Sequence, residues 1–328
     1  MVGECFETAV VTGASGMVGL NLIVELLKRG WEVYSIVREN YYKRRPWAKT
    51  ILSKTNILYS DIRDLNGLID VLNEIPKGKR FILFHLAAVL YASRKNMLDI
   101  NFRGTCNILR ACIRTSRIPS KIIFTSSILA LGDTLTIGAE ESLKPKPRSG
   151  YEISKYLSEN IILRVGERLS LPTVVFRPTW IYGPYSLNMD ILLLSKAVKF
   201  RISPELTWNP RIYMVYVKEI VKAFLISIHP KIKAHGIYNI AEPIPYTFSH
   251  IINVISSALG VKTAIRISLP KMLMKFSSLY ADILRYIVLA PKVIPLTRIS
   301  RDLKFTPKPS LTLGLKETIR WLRSYGLI

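Results

Sequence analysis

The sequence predicts an α/β fold, a doubly wound parallel sheet with a smaller C-terminal lobe, on three grounds. Short apolar strands alternate with helical patterns through the first half of the 328 residues, which is the rhythm of parallel β-α-β units. A glycine-rich turn joins the first strand to the first helix. After Pro178 the alternation gives way to prolines and short mixed elements.

Taken in order, Ala9-Val10-Val11 is a short apolar strand, and 17–28 has helical spacing with Val18, Leu22 and Leu26 on one side. Gly30 stops that helix. Strands follow at 33–37 and 57–59. Asp64 caps a helix that runs to about 74, before Pro76. The continuous apolar run 81–86 reads as a buried strand. Residues 100–115 lie within a helix, 121–126 form an Ile- and Phe-rich strand, 151–169 a helix, and 173–176 a strand after Pro172. Beyond Pro178, helical patterns occur near 217–228, 247–259 and 311–324, and Ile237-Tyr238-Asn239-Ile240 is a strand returned to the main body.

Hydrophobic residues make up 49% and charged residues 21% of the chain, values that exclude a disordered, collagen-like or low-complexity protein. Cys5, Cys106 and Cys112 are too few for a disulfide framework and contain no Cys-x-x-Cys pair. They read as reduced thiols in a cytoplasmic protein. With 47 Lys and Arg against 23 Asp and Glu, the formal charge is +24. A field of that sign favours phosphorylated cofactors, acidic substrates, anionic lipid or nucleic acid. The basic residues are spread along the chain without a nucleic-acid-binding signature, so no specific nucleic-acid partner is expected. Peripheral contact with an anionic membrane fits the apolar composition better. The first residues, with Glu4 and Glu7, do not read as a signal peptide. No stretch reaches the ~18 uninterrupted apolar residues of a membrane span. His229, His235 and His250 lack metal-ligand spacing, so no metal site is expected. His85 reads as a structural histidine.

Three motifs carry chemistry. Thr12-Gly13-Ala14-Ser15-Gly16-Met17-Val18-Gly19 sits between strand and helix. Gly13 permits the tight turn, Gly16 lets backbone approach a pyrophosphate, and Gly19 lets helix and strand pack closely, with Ser15, Met17 and Val18 beside them at the helix N-terminus. At the end of the second strand, where an acidic residue ordinarily meets a ribose 2′-hydroxyl, the chain has Val37-Arg38 and then Lys43-Arg44-Arg45. An arginine there suits a 2′-phosphate, which favours NADP over NAD. Further on, Asp61 could accept from an adenine amino group and Ile62 cover the ring. In Tyr151-Glu152-Ile153-Ser154-Lys155, Tyr and Lys four apart share a helix face. A neighbouring ammonium favours phenolate and suits the tyrosine to acid/base work. Ser126-Ser127 upstream offers a hydroxyl to polarise a carbonyl.

With these motifs, His85-Leu86-Ala87-Ala88, Asn101-Phe102-Arg103-Gly104-Thr105-Cys106-Asn107, Phe124-Thr125-Ser126-Ser127, Arg177-Pro178 and Tyr182-Gly183-Pro184 follow in order. Val215-Tyr216-Val217-Lys218-Glu219 and Gly236-Ile237-Tyr238-Asn239-Ile240 complete the series. The chain resembles the extended short-chain dehydrogenase/reductase superfamily, also called the NAD-dependent epimerase/dehydratase family, over nearly its whole length. The resemblance implies a Rossmann-type NAD(P)-binding domain at 1–177 and a substrate-binding lobe at 178–328. It implies Ser127 as the carbonyl-polarising hydroxyl, Tyr151 as proton donor or acceptor, Lys155 as its tuner and Asn101 as support for the proton path. Leu86, Ala87 and Ala88 would line the cofactor groove, Lys155 would hold ribose hydroxyls, and Pro178 would sit near the nicotinamide. Family members often form homodimers through two long helices, here 101–115 and 151–169.

Two departures point to a subfamily. Sugar-nucleotide enzymes of this kind usually carry Asn where Trp180 stands, and an Arg gripping diphosphate where Ile212 stands, with Arg211 one residue out of register. The chain therefore looks closer to the dihydroflavonol-reductase and 3β-hydroxysteroid-dehydrogenase-like branch. The apolar stretch 269–294 reads either as a lid over an apolar small-molecule substrate or membrane patch, or as an ordinary buried amphipathic helix. The leading expectation is an NAD(P)-dependent oxidoreductase acting on a carbonyl or secondary alcohol. The alternatives are a nucleotide-sugar epimerase or dehydratase with retained NAD, and a non-catalytic NAD(P)-binding regulator.

Overall fold

The computed structural model describes residues 8–187, 189–269 and 293–328. The chain begins β1 (Thr8–Thr12), α1 (Met17–Lys28), β2 (Glu32–Val37), α2 (Glu39–Lys43), α3 (Pro46–Leu52), β3 (Asn56–Tyr59), α4 (Leu65–Asn73) and β4 (Phe81–His85). Next come α5 (Arg94–Met97), a π-helical turn Leu98–Arg103, α6 (Gly104–Arg114), β5 (Lys121–Thr125), α7 (Gly150–Arg168) and β6 (Thr173–Pro178). Beyond it lie β7 (Trp180–Tyr182), α8 (Met189–Lys199), β8 (Ile202–Leu206), β9 (Arg211–Ile212), β10 (Met214–Tyr216), α9 (Val217–Ser227) and β11 (Gly236–Ile240). The chain closes with β12 (Tyr246–Thr247), α10 (Phe248–Leu259), β13 (Ile265–Leu269), α11 (Thr297–Leu303) and α12 (Leu311–Ser324).

Seven strands form one parallel sheet in the order β11-β6-β5-β4-β1-β2-β3. Side chains of successive strand residues point to opposite faces, and each central strand feeds two cores. Ala9, Val11, Ile82, Phe84, Ile123, Val174 and Phe176 belong to one. Val10, Phe81, Leu83, Ile122, Phe124 and Val175 belong to the other. Helix α9 closes the first face, with the Phe224 ring 6.2 Å from Phe84 and 5.2 Å from Phe176. On the second face Leu68, Val71 and Leu72 of α4, Ile108 and Leu109 of α6, and Ile162 of α7 cover the sheet. Strand 237–240, expected to return to the main body, pairs in parallel with β6 as part of β11.

The sequence did not announce several elements. The basic stretch after β2 folds into α2 and α3. Pro46, with its fixed φ and missing N–H, opens α3, and Trp47, Ala48 and Leu52 are buried. Residues 100–103, expected within a helix, belong to the π-helical turn Leu98–Arg103. There the Asn101 carbonyl accepts from Thr105 Oγ1 at 2.6 Å and Ser158 Oγ at 3.0 Å.

In the C-terminal half, β7 pairs with β10, β9 with β12 and β8 with β13. The fully buried Glu242 carboxylate joins the first two pairs. It accepts from Tyr182 Oη, Tyr246 Oη, the Tyr216 N–H at 3.2 Å and the Ser310 N–H at 3.1 Å. Trp47 of α3 meets Trp321 of α12 edge-on at 5.4 Å, tying the first half to the last helix. Among the described residues no helix is long and apolar enough to cross a membrane. The apolar stretch at 269–294 falls almost wholly outside the described residues.

Candidate active site

From β1 the chain winds outward to β2 and β3, then crosses back to β4, β5 and β6. The reversal between β1 and β4 opens a crevice at the carboxyl ends of the strands, the usual ligand site of such sheets. A cleft of about 450 Å³ runs along those ends, from Arg38 and Asp61 at one extreme to Trp180 and Asp190 at the other.

The glycine loop forms its floor. Gly13 has φ +68°, and a Cβ there would lie 2.7 Å from Ala87 N. A Cβ on Gly19 would lie 2.5 Å from Gly13 O. The loop is thus pressed against Leu86 and Ala87, and only hydrogen fits at either position. No side chain caps the first turn of α1 and no acid sits in it. Its N–H groups and the positive end of the helix dipole are left to an anion. Gly13, Ser15, Gly16, Met17, Val18, Gly19, Leu86, Ala87, Ala88 and Pro178 all line the cleft.

At the β2 end, Arg38 lies 4.8 Å from the Tyr41 ring centroid and Arg45 lies 4.0 Å from it. Arg45 also donates to Ser15 O at 2.7 Å and to Tyr41 Oη. Of the basic run, Lys43 pairs with Glu39 on the surface, whereas Arg45 turns into the cleft and is buried. Arg45 stands outside α2, as the residue before α3, so no helical spacing singled it out. Asp61 and Ile62 line the cleft at the β3 end. Burial works to raise the Asp61 carboxyl, but Arg63 outweighs it through bonds of 2.9, 3.1 and 2.7 Å and holds it below the ordinary range.

The position of Tyr151 follows from a capping box. Ser149 Oγ accepts from the Glu152 N–H at 3.1 Å, and Glu152 Oε2 accepts from the Ser149 and Arg148 N–H groups. This starts α7 at Gly150 and sets Tyr151 in its first turn, on the cleft wall. Lys155, one turn later, is 3% exposed. It donates to Thr125 O at 2.7 Å and stands 4.8 Å from the Phe124 ring centroid. Burial pulls its ammonium down to about 7, with Glu159 pulling the other way.

The two serines after β5 have different fates. Ser126 Oγ donates to buried Glu159, which also holds Arg177 through bonds of 2.9 and 2.7 Å. Ser127 Oγ accepts from the Leu129 N–H at 3.2 Å, an arrangement that leaves its own proton for a ligand. Asn101 is not part of the lining. It lies behind the wall, where its amide brackets Val89 N and O at 2.8 and 3.0 Å and donates to Ser154 Oγ at 3.0 Å. His85 is buried between Thr12 Oγ1 at 2.7 Å and Thr105 Oγ1 at 2.8 Å. Burial and then Lys155 drive its pKa to about 3, so it is a neutral strut.

The far end is built from Leu90, Leu129, Trp180, Ile181 and Leu187, with the Asp190 carboxyl, while Tyr185 lines the cleft beside Trp321. Among the described residues the cations of the lining are Arg38, Arg45 and Lys155, none at this end. Ile212 is buried and Arg211 exposed, and neither reaches the cleft. Tyr185, Leu187 and Asp190 carried no sequence signal, since they follow a loop whose course depends on packing. Thr125 Oγ1, Thr179 Oγ1 and Trp180 Nε1 are buried without hydrogen-bond partners beside the cleft. Buried polar groups are rarely left unpaired. The bare helix terminus and the glycine floor fit a dinucleotide.

The sequence profile of the NAD dependent epimerase/dehydratase family matches residues 9–241. The chain belongs to that family. Its members are NAD-dependent enzymes of the extended short-chain dehydrogenase type. One relative is the UDP-N-acetyl-alpha-D-glucosaminuronate decarboxylase of Bacillus cytotoxicus, 25% identical over 338 residues, which span 97% of this chain and 98% of the relative. Another is the 3beta-hydroxysteroid-dehydrogenase/decarboxylase isoform 1 of Arabidopsis thaliana, 31% identical over 206 residues, 56% of this chain and 44% of that protein. The solved structure of dTDP-glucose 4,6-dehydratase from Bacillus anthracis, in complex with NAD, superposes with a TM-score of 0.77 at 18% identity. The superposition covers 98% of this chain and all of that one, and the fold is shared throughout.

Proposed function

We propose that this family member is an NADP-dependent dehydrogenase or reductase acting on a ketone or secondary alcohol of a largely apolar, uncharged molecule. The carrying observation is the far end of the cleft, apolar and aromatic, with a carboxyl and no described cation. A nucleoside diphosphate there would meet Asp190 without a compensating guanidinium or ammonium.

NADP is favoured over NAD by Arg38, Tyr41 and Arg45, two guanidiniums over one ring where a ribose diol would instead call for a carboxylate. The glycine loop and the first turn of α1 would hold the pyrophosphate, and Lys155 the ribose next to the nicotinamide. When bound, the nicotinamide supplies or accepts the hydride. In reduction, Ser127 donates to the carbonyl oxygen and polarises it, and Tyr151 passes its phenolic proton to the same oxygen. Lys155, with a pKa of about 7, exchanges its charge at working pH and favours the phenolate left behind. Leu90, Leu129 and Trp180 keep water from the reacting carbon.

Turnover of ketones and alcohols with NADPH and NADH tests the reading. Tyr151→Phe should abolish turnover while retaining NADPH binding. Arg38→Ala or Arg45→Ala should weaken NADPH about tenfold, the size of a lost charge-assisted bond, and leave NADH nearly unchanged. Full activity in Tyr151→Phe would sink the mechanism.

A second reading, a nucleotide-sugar epimerase or dehydratase with retained NAD, is favoured by the full-length match to a UDP-sugar decarboxylase. It uses the same Ser127, Tyr151 and Lys155 and returns the hydride to the same substrate. Conversion of a UDP- or dTDP-sugar, with nicotinamide that survives purification and does not exchange, would establish it over the first.

A further inference from the structure

We propose that Asp190 and Trp180 form a hydroxyl-binding subsite. The substrate then carries, besides the carbon that exchanges hydride, a second oxygen that both donates and accepts a hydrogen bond. This rests on the dehydrogenase reading above and narrows its substrate class.

Both side chains line the end of the cleft remote from the glycine loop. Trp180 lies in β7, immediately after the strand whose last residue, Pro178, borders the reacting region. Its indole N–H is buried and meets no acceptor at full hydrogen-bond geometry, and it lies close enough to the Asp190 carboxyl to favour the charged form of that group. An indole offers one donor and no acceptor, so the ligand atom that meets it must accept.

Asp190 belongs to the first turn of α8, and Oδ1 accepts from the Ile191 N–H at 2.8 Å. Burial raises its carboxyl to about 6, while the Ile191 N–H and the nearby Trp180 indole work against that rise. Near neutral pH the group is therefore an anionic acceptor, and the ligand atom that meets it must donate. Ile181 and Leu187, their neighbours in the chain, line the same cleft.

An alcohol satisfies both members at once, donating to the carboxylate and accepting from the indole. A carbonyl could serve only Trp180, and an ammonium only Asp190. A phosphate would serve Trp180 but bring like charge against Asp190 in an apolar wall, which is strongly unfavourable. Discrimination by such a pair comes from the indole N–H, left without a full partner, and from the carboxylate, left with the Ile191 N–H as its one full bond, when the hydroxyl is missing.

The test is calorimetric binding to protein saturated with NADP, using matched probes: cyclohexanol against cyclohexane-1,4-diol, and 2-decalone against 6-hydroxy-2-decalone and its phosphate monoester. The hydroxylated member of at least one pair should bind about tenfold tighter or more, as expected for a bond to a charged group. That advantage should vanish in Asp190→Ala and shrink in Trp180→Phe, with NADP affinity and circular dichroism unchanged. The phosphate ester should bind detectably only in Asp190→Asn. Equal binding within both pairs, or an advantage that survives in both Asp190→Ala and Trp180→Phe, overturns the subsite. Hydroxyl-dependent binding without any hydride transfer would leave the subsite standing and sink the dehydrogenase reading. Hydride transfer without hydroxyl dependence would do the reverse.

Discussion

Replacing Lys155 by methionine should separate two properties that usually fail together. The variant is expected to be inactive and, below neutral pH, more stable than the wild type. Lys155 is 3% exposed, and burial draws its ammonium from the ordinary 10.5 down to about 7. At about pH 6 the native state holds a charge in the interior that the unfolded chain holds in water. The gap between the two pKa values corresponds to roughly 5 kcal/mol against the fold. Methionine fills the same volume without that charge. It also removes the 2.7 Å bond from Nζ to Thr125 O, a loss of about 1–3 kcal/mol. The net expectation at pH 6 is a gain of roughly 2–4 kcal/mol. Between pH 7 and 10.5 the unfolded state binds a proton that the native state lacks, so the wild type gains about 1.4 kcal/mol per pH unit. The variant does not, and near pH 10 the order reverses. Urea denaturation followed by circular dichroism at pH 6 and pH 9.5 reads both limits. A variant less stable at pH 6, or a difference that does not change with pH, would refute the reasoning.

Other perturbations test other parts of the frame. Glu159→Gln leaves Arg177, 2% exposed, without its anionic partner and should cost about 3–5 kcal/mol, measured by the same denaturation. Gly13→Ala, at φ +68° and with its new Cβ 2.7 Å from Ala87 N, should lose about 1–3 kcal/mol to backbone strain alone. It should also lose the thermal stabilisation that NADPH gives the wild type. His85 sits at about 3 in the native state against an ordinary 6.5. Its contribution to stability is whole above pH 6.5 and falls by about 1.4 kcal/mol per unit as pH drops toward 3. His85→Gln should flatten that slope, and an unchanged slope would show the ring to be solvated. Phe224→Ala, which empties the space over Phe84 and Phe176, should cost about 3–5 kcal/mol.

Much of the frame was legible because its signals are local. The continuous apolar runs in 9–11, 81–86 and 121–126 reflect two cores on two faces of one sheet. Asp64 caps α4 through the Asn66 and Gly67 N–H groups, and the Ser149–Glu152 box fixes where α7 begins. Tyr151 and Lys155 are bound to one face by helix geometry alone. Glycines at 13, 16 and 19 mark a turn into a helix whose N–H groups are free.

What the sequence left open depends on parts of the chain far from one another. The family resemblance pointed to Ser127, but the physical reason to prefer it over Ser126 lies in Glu159 and Arg177, which arrive from α7 and β6 and claim the Ser126 hydroxyl. Arg45 was one cation in a basic run until α2 and α3 folded it against Tyr41 and Ser15. Asn101, expected to support the proton path, braces Val89 from behind the wall. Asp190 becomes part of the site because the segment after β7 crosses back to α1, where Asn21 Nδ2 holds Pro184 O at 3.1 Å. The sequence by itself determined the sheet, its helices, the phosphate-binding turn and the Tyr-Lys pair, since hydrophobic period, capping and glycine conformation act over a few residues. Only the tertiary structure decided which hydroxyl is available, which arginine enters the cleft and what the substrate end presents, because burial and hydrogen-bond partnership belong to pairs the chain brings together by folding.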